Sequence, residues 1–403
     1  MAQETHKPRP ASPLPDAPLF STTLGEDIDP PLALNYLEDQ RDEIYTATQW
    51  QLTWWRFRRH KMAMASLWLL AILYLVAIFS EFIAPADPNV YDEKYAYAPP
   101  QGIHFIDPSG TFHLRPFVYG LKSERDQETM RMVFVADKEA MYPLGFLTVG
   151  EPTKFWGIFD MNRHLFGPLD PTAAFFPLGG DRLGRDMFSR IVYGTRISMS
   201  VGLVGILISL ALGIFFGGIS GYYGGIWDTI IQRVIEFFRS IPTIPLWMGL
   251  SAAVPKDWSP LRMYFAITVL LSLIGWTGLA RVVRGRFLSL REEDFVLAAK
   301  LGGSSEMRII FRHMVPSFAS HIIASLTLSI PSVILAETAL SFLGLGLRPP
   351  VISWGVLLQE SQNLRAVATA PWLLAPGLAV VIAVLAFNFV GDGLRDAADP
   401  YAL

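Results

Sequence analysis

Six apolar stretches of about twenty residues each constrain this chain more than anything else in it, because that length is what a helix needs to cross ~30 Å of hydrocarbon. They fall at residues 62–82, 197–222, 227–254, 263–283, 317–342 and 372–389. Only 17% of the residues are charged, where a soluble protein usually has nearer a quarter. The expected fold class is therefore an all-α polytopic membrane protein with six transmembrane helices.

Basic residues orient those helices. Trp54, Trp55, Arg56, Phe57, Arg58, Arg59, His60 and Lys61 form an aromatic and basic collar ahead of the first span. Seven more cations lie after the fourth: Arg281, Arg284, Arg286, Arg291, Lys300, Arg308 and Arg312. Both regions are expected in the cytoplasm by the positive-inside rule, and four spans separate them, so the two assignments agree. Residues 1–50 are polar and Pro-rich without an apolar core. They read as a cytoplasmic tail rather than a signal peptide, with a helix around 34–46. The expected organisation is a tail and collar at 1–61, a first helix at 62–85, an extracytoplasmic insert and elbow at 86–190, and a helical core at 191–403.

The insert is rich in aromatics, Gly and Pro. Residues 118–121 and 132–136 read as strands, the second followed by a turn at Asp137-Lys138, and Trp156, Phe159 and Phe166 are the expected small core. An α/β or otherwise β-containing insert follows. His104, His113 and His164 lack metal-ligand spacing and are expected to be structural. In the elbow at 176–190, Asp181, Arg182, Arg185 and Asp186 are placed to pair, which points to a structural role.

Within the core, Gly213 and Gly217 form a GxxxG pair on a helix built for close packing. Pro242 and Pro245 bend the third span. Glu236 and Arg239 near that bend either pair inside the bundle or reach the cytoplasmic interface. Glu337, an acid inside the fifth span, is expected to serve hydrogen bonding ahead of transport. Residues 353–359 read as a helix lying on the outer surface.

One basic, amphipathic stretch lies between the fourth and fifth spans, SLREEDFVLAAKLGGSSEMRIIFRHMVP at 289–316. Ser289 and Glu292 fit a capping box. A short helix through Ala298 and Ala299 should stop at Gly302-Gly303. Ser304 or Ser305 can then cap a second helix that Pro316 closes. Ala299 and Gly303 lie four apart, so a partner backbone could approach that face closely.

Ala298-Ala299, Gly303 and His313-Met-Val-Pro316 resemble the EAA loop of ABC importer permeases, in the dipeptide/oligopeptide branch and its C-type subunit. Leu297 stands where that family has a glutamate. Residues 176–198, 336–346 and 390–400 are also similar to family signatures, so the resemblance covers 62–85 and 176–403; the insert at 86–175 is longer than the common pattern. The resemblance implies a type I ABC importer (MetI-like) permease fold in the inner membrane with both termini cytoplasmic. It implies that the loop 289–316 couples to an ATPase through Leu297, Ala298, Ala299, Gly303, His313 and Pro316. It also implies a related second permease subunit, two ATPase subunits holding ATP and Mg, and a periplasmic binding protein that delivers peptides. Oligosaccharides are the alternative cargo, suggested by the enlarged external loop.

Other classes find little in the residues. There is no GxxxxGK[ST] loop, HExxH or GxSxG pattern, and no cysteine, so neither catalysis nor a cofactor or metal of its own is expected. A net charge of −3 leaves no nucleic-acid footprint. An intramembrane enzyme using Glu236, Glu337 or the insert histidines, and a membrane scaffold working through its insert, are the distant alternatives.

Overall fold

The computed structural model describes residues 48–125, 132–255 and 257–398; the expected helix at 34–46 lies outside them. The described residues 53–398 belong to one compact unit. Helix α1 (Gln49–Arg59) carries the collar and places Arg56, Arg58 and Arg59 in its last turn, where cations suit the helix dipole. Helix α2 (Lys61–Ile78) starts at His60, whose Nδ1 accepts from the Ala63 N–H at 3.1 Å. It breaks at Phe79 and resumes as the short α3 (Ser80–Ile83).

The insert is a four-stranded antiparallel sheet in the order β1 (His104–Ile106), β2 (Phe112–Arg125), β3 (Met132–Phe155), β4 (Phe159–Pro168). It is β-containing, with one 3-10 turn at Glu93–Tyr95 beside the sheet. The expected turn at Asp137-Lys138 is not a turn: β3 runs through it. Tyr119 pairs with Met141 and Gly120 with Asp137, so residues 138–140 bulge out of the ladder, and Lys122 grips Asp137 across the strands at 2.8 Å. The polar pair marked a bulge, which interrupts a strand without ending it. The expected core is also corrected. Trp156 and Phe159 are exposed at a hairpin tip, while Val118, Leu144 and Phe175 are buried with Tyr142 and Phe166 packed on them.

Helix α4 (Met187–Tyr223) begins inside the elbow, capped by Asp186, which accepts from the Ser189 N–H at 2.8 Å. The elbow pairs as expected for part of its set. Asp181 is fully buried and takes Arg185 Nε at 2.6 Å and the Arg190 guanidinium, whereas Arg182 reaches Glu360 at 3.6 Å.

The third expected span is two helices, α5 (Gly225–Ser240) and α6 (Thr243–Ala252). Pro242 has no N–H to donate and forces the residue before it out of helical space; Ile241 is accordingly extended at φ −89°, ψ 130°. Glu236 does not pair with Arg239: it bonds exposed Arg233 at 2.7 Å. Helix α7 (Pro260–Leu290) follows, then the connecting segment α8 (Asp294–Leu301), α9 (Glu306–Arg308) and α10 (Val315–Ser317), and then α11 (Ala319–Phe342). The return between α11 and the last helix contains α12 (Trp354–Leu358) and α13 (Leu364–Thr369), and α14 (Ala375–Ala398) closes the described chain. Helix α12 corrects the expectation of a surface helix. Trp354 is 0% exposed, donating from Nε1 to the Ile191 carbonyl at 3.2 Å and from its backbone to Ser198 Oγ at 3.0 Å.

Among the described residues, five helices are long and apolar enough to cross a membrane: α2, α4, α7, α11 and the run Pro371–Ala398. They pack through small residues. A Cβ on Gly217 would stand 2.5 Å from the Ala280 carbonyl oxygen, so α4 and α7 meet backbone to backbone; one on Gly393 would stand 2.4 Å from Ala63 Cβ, so α14 packs closely on that small side chain of α2. Glu337 is buried on α11, accepting from Ser341 Oγ at 2.7 Å and Ser353 Oγ at 2.8 Å. It thereby ties the segment entering α12 to α11.

Candidate functional site

The connection between α7 and α11 is organised by where its apolar residues go. Leu279, Val283 and Phe287 form a buried stripe that keeps α7 helical through Leu290, two turns beyond its cationic residues Arg281 and Arg284. Ser289 is therefore inside that helix. The expected capping box with Glu292 does not form, because the chain is turned instead by Arg291 N–H bonding the Phe287 carbonyl at 3.0 Å and Glu293 N–H bonding Leu290 at 3.1 Å. Glu293 becomes the first residue of α8 in the capping position, without a side-chain bond.

Helix α8 ends as the two glycines suggest. Gly303 has φ +73°. Ser304 N–H reaches back to the Ala299 carbonyl and Gly303 N–H to Lys300, both at 3.0 Å, which is the Schellman stop. Ser305 then precedes α9 in extended conformation, again without a side-chain bond. Pro316 does not close the second helix. Residues Ile309–Met314 widen into a π-helical turn, Val315 N–H bonds Ile310, and Pro316 enters α10 at a first-turn position, where proline is tolerated. The break comes at Phe318.

Two faces result. Val296, Ile309, Ile310, Met314 and Phe318 are buried against Val283, Phe287 and Ile322, with Ala299 half-covered by them. Tyr223 Oη donates to Glu306 Oε2 at 2.7 Å, and the Lys300 ammonium lies 5.2 Å from the Tyr222 ring centroid. At the adjoining ends of α4, α5 and α7, Arg284 holds Asp228 through Nε at 2.5 Å and Nη2 at 2.6 Å, a fork-to-carboxylate pair of the stronger kind. The hairpin is thus fixed to the bundle on one side.

The other side is apolar and uncovered. Leu297, Ala298 and Gly303 lie on it, joined by Phe295, Leu301, Met307 and Phe311; Leu301 is 90% exposed, and a Cβ at Gly303 would touch nothing in the chain. His313 is half-buried on the π turn and Pro316 exposed beyond it. The structure thus gathers Leu297, Ala298 and Gly303 at the tip, with Ala299 beneath, and leaves His313 and Pro316 on the second arm. Sequence reasoning missed Phe295, Leu301, Met307 and Phe311. Their signal was present: each is a large apolar side chain off the buried stripe. Charged residues at 291–294, 300, 306, 308 and 312 alternate with them along the chain, a composition unsuited to a lipid-facing surface. Burying a leucine or phenylalanine is worth roughly 1.5–3 kcal/mol, and a contiguous exposed patch of such residues marks a protein contact.

Residues 213–402 match the family described as binding-protein-dependent transport system inner membrane component, and residues 48–100 match the N-terminal transmembrane domain of oligopeptide transport permease C. The dipeptide transport system permease protein DppC of Lactococcus lactis is 31% identical over 358 residues, covering 87% of this chain and 90% of the relative. DppC of Bacillus subtilis is 38% identical over 57% of this chain and 70% of the relative; the oligopeptide permease OppC of Haemophilus influenzae is 40% identical over 60% and 75%. The Lactococcus match runs across the insert as well as the core. With two family matches at opposite ends of the chain and relatives covered over most of their length, the chain belongs to the binding-protein-dependent ABC permeases of the inner membrane, as a C-type subunit of the dipeptide and oligopeptide branch.

Proposed function

We propose that this chain is one of two different translocation subunits of an ATP-driven peptide importer, and that the apolar tip formed by Leu297, Ala298, Leu301 and Gly303 is where an ATPase subunit grips it. The observation that carries the reading is the uncovered apolar face on a hairpin otherwise bolted to α4, α7 and α11. A hairpin fixed in that way moves with the helices. An ATPase seated on it can then shift the bundle between inward- and outward-open states, provided it makes different contacts in the two. In this reading α5 and α6 together make the third of six spans in a type I importer fold, and both termini are cytoplasmic. Residues 1–61 form the tail and collar, 86–190 face the periplasm and 191–403 are the permease core. A second, related permease, two ATPase subunits with ATP and Mg, and an external binding protein complete the assembly; this chain performs no chemistry itself. The names of its relatives favour peptides over oligosaccharides as cargo.

Leu301→Glu tests the grip, since Leu301 packs on nothing in its own chain. Expressed with its partners, the variant should insert normally, lose ATPase subunits on purification, and import a labelled peptide at least about tenfold more slowly, as removal of a central apolar anchor implies. Normal import with normal ATPase recovery would remove the proposal.

A further inference from the structure

The tip of the β3–β4 hairpin is built into the end of the first membrane helix. Trp156 has φ +52°, a conformation that side chains rarely adopt. It is held there by its backbone N–H on Glu81 Oε1 at 3.1 Å, by its indole Nε1 on the Ile78 carbonyl at 3.1 Å, and by the Arg196 guanidinium 4.4 Å from the ring centroid. Arg196 in turn clamps Glu81 through Nη1 at 2.6 Å and reaches the Ala77 carbonyl through Nε at 2.8 Å. Phe155 stacks on Phe79, with centroids 6.1 Å apart. The tip is therefore fixed at the level where α2 ends.

What the tip shows to the outside is apolar. Ile158 is 73% and Phe159 68% exposed, and half of the Trp156 surface is open despite its bonds. The exposed residues Trp68, Ile72 and Leu75 of α2 and Phe79 at its break fall four, three and four apart, a single stripe along the helix and its end. That stripe is uncovered by the rest of the chain along a helix long and apolar enough to cross a membrane, which makes it a face suited to lipid. Phe79 ends the stripe and touches Phe155, so the stripe continues without a break onto the hairpin tip.

We propose that the β3–β4 tip is a lipid-dipping wedge: Trp156, Ile158 and Phe159 enter the interfacial layer of the outer leaflet and anchor the sheet to the membrane. The occupant is phospholipid, by continuity with the lipid-facing stripe of α2. Tryptophan suits that depth, with its ring in the apolar layer and its N–H satisfied. The clamp of Arg196 on Glu81 keeps two charges paired beside lipid and leaves the sheet above at a set height. This anchoring is separate from cargo transport and does not rest on the ATPase grip.

The chain has no cysteine, so a single introduced one reports cleanly. Ile158→Cys and Leu114→Cys, the latter 88% exposed on β2, would each be labelled with a fluorophore in the full-length chain. Both would be reconstituted in phosphatidylcholine–phosphatidylglycerol nanodiscs with and without doxyl-labelled phosphatidylcholine. Doxyl lipid should quench the label at 158 several-fold more than the label at 114, and aqueous iodide should do the reverse. Phe159→Cys provides a second tip position if Ile158→Cys does not fold. Equal lipid quenching at tip and strand, free access of iodide to the tip, or photo-cross-linking of the tip to another permease chain in native membranes would each overturn the proposal.

Discussion

Gly217 and Gly278 show how differently two glycines of one bundle are used. A Cβ at Gly217 would meet the Ala280 carbonyl oxygen at 2.5 Å and Val283 Cβ at 2.9 Å, while one at Gly278 would meet nothing within 4 Å. Backbone cannot yield as a flexible side chain can, so Gly217→Val should separate α4 from α7 and destabilise the folded chain by about 1–3 kcal/mol or more. Gly278→Ala should be close to neutral. Thermal unfolding of the two variants in detergent checks the contrast, and equal melting temperatures would contradict the close approach. Asp186 offers a pH signature. Burial pushes its carboxyl up to about 6, the buried Asp181 carboxylate adding to this, against the bonds it accepts from Ser189 and Phe188. A carboxyl raised in the folded state holds its proton longer there than in the unfolded chain. Its contribution to stability is therefore full below pH ~4 and falls away as pH rises toward ~6, by on the order of 2–3 kcal/mol. Asparagine keeps the cap and has no proton to lose. Asp186→Asn should thus gain stability relative to the unsubstituted chain as pH rises from 4.5 to 7, and parallel melting curves across that range would count against the assignment. Glu337, fully buried with two serine hydroxyls on one oxygen, has a structural signature: Glu337→Gln should preserve import, while Glu337→Ala leaves both hydroxyls without an acceptor and should cost about 1–3 kcal/mol. Loss of import in Glu337→Gln with unchanged stability would point to transport instead.

Elements were legible in the sequence where one physical signal dominated. The long apolar helices follow from hydropathy, because nothing competes with the bilayer for twenty apolar residues. Gly302-Gly303 ended α8 as expected, because the left-handed stop has few alternatives. Ends set by packing were not legible. Ser289 looked like a cap, but the buried stripe through Phe287 carried α7 past it. Pro316 looked like a stop, and the π turn before it absorbed the missing donor. Trp354 read as surface because its helix is short and flanked by polar residues; its burial depends on Ile191 and Ser198, some 160 positions away. At the site, the glycine and alanines were readable as a pattern, whereas Leu301 and Met307 became meaningful only once the covered face was known. The hairpin as an element also carries a prediction. Gly303→Val forces a β-branched residue to φ +73°, at roughly 1–2 kcal/mol, with no clash in the chain. The strain should open the α8–α9 turn alone, so tryptic cleavage after Lys300 should accelerate while the global melting temperature stays within a few degrees. A concerted loss of the whole fold would contradict that local character.

For the whole molecule, the central claim is that a rigid hairpin between α7 and α11 transmits the work of a partner that this chain lacks. Its covered face joins α4, α7 and α11, and among the described residues its open face joins none of them. The absence of cysteine makes the claim directly measurable. Ala298→Cys at the hairpin tip and Leu114→Cys on the sheet would be introduced singly and treated in native inner membranes with a short bifunctional cross-linker, the products being identified by mass spectrometry. The expected result is an ATPase subunit joined to position 298, with a yield that changes when ATP is added, and none joined to position 114. Import-competent membranes in which position 298 meets no ATPase would contradict the account.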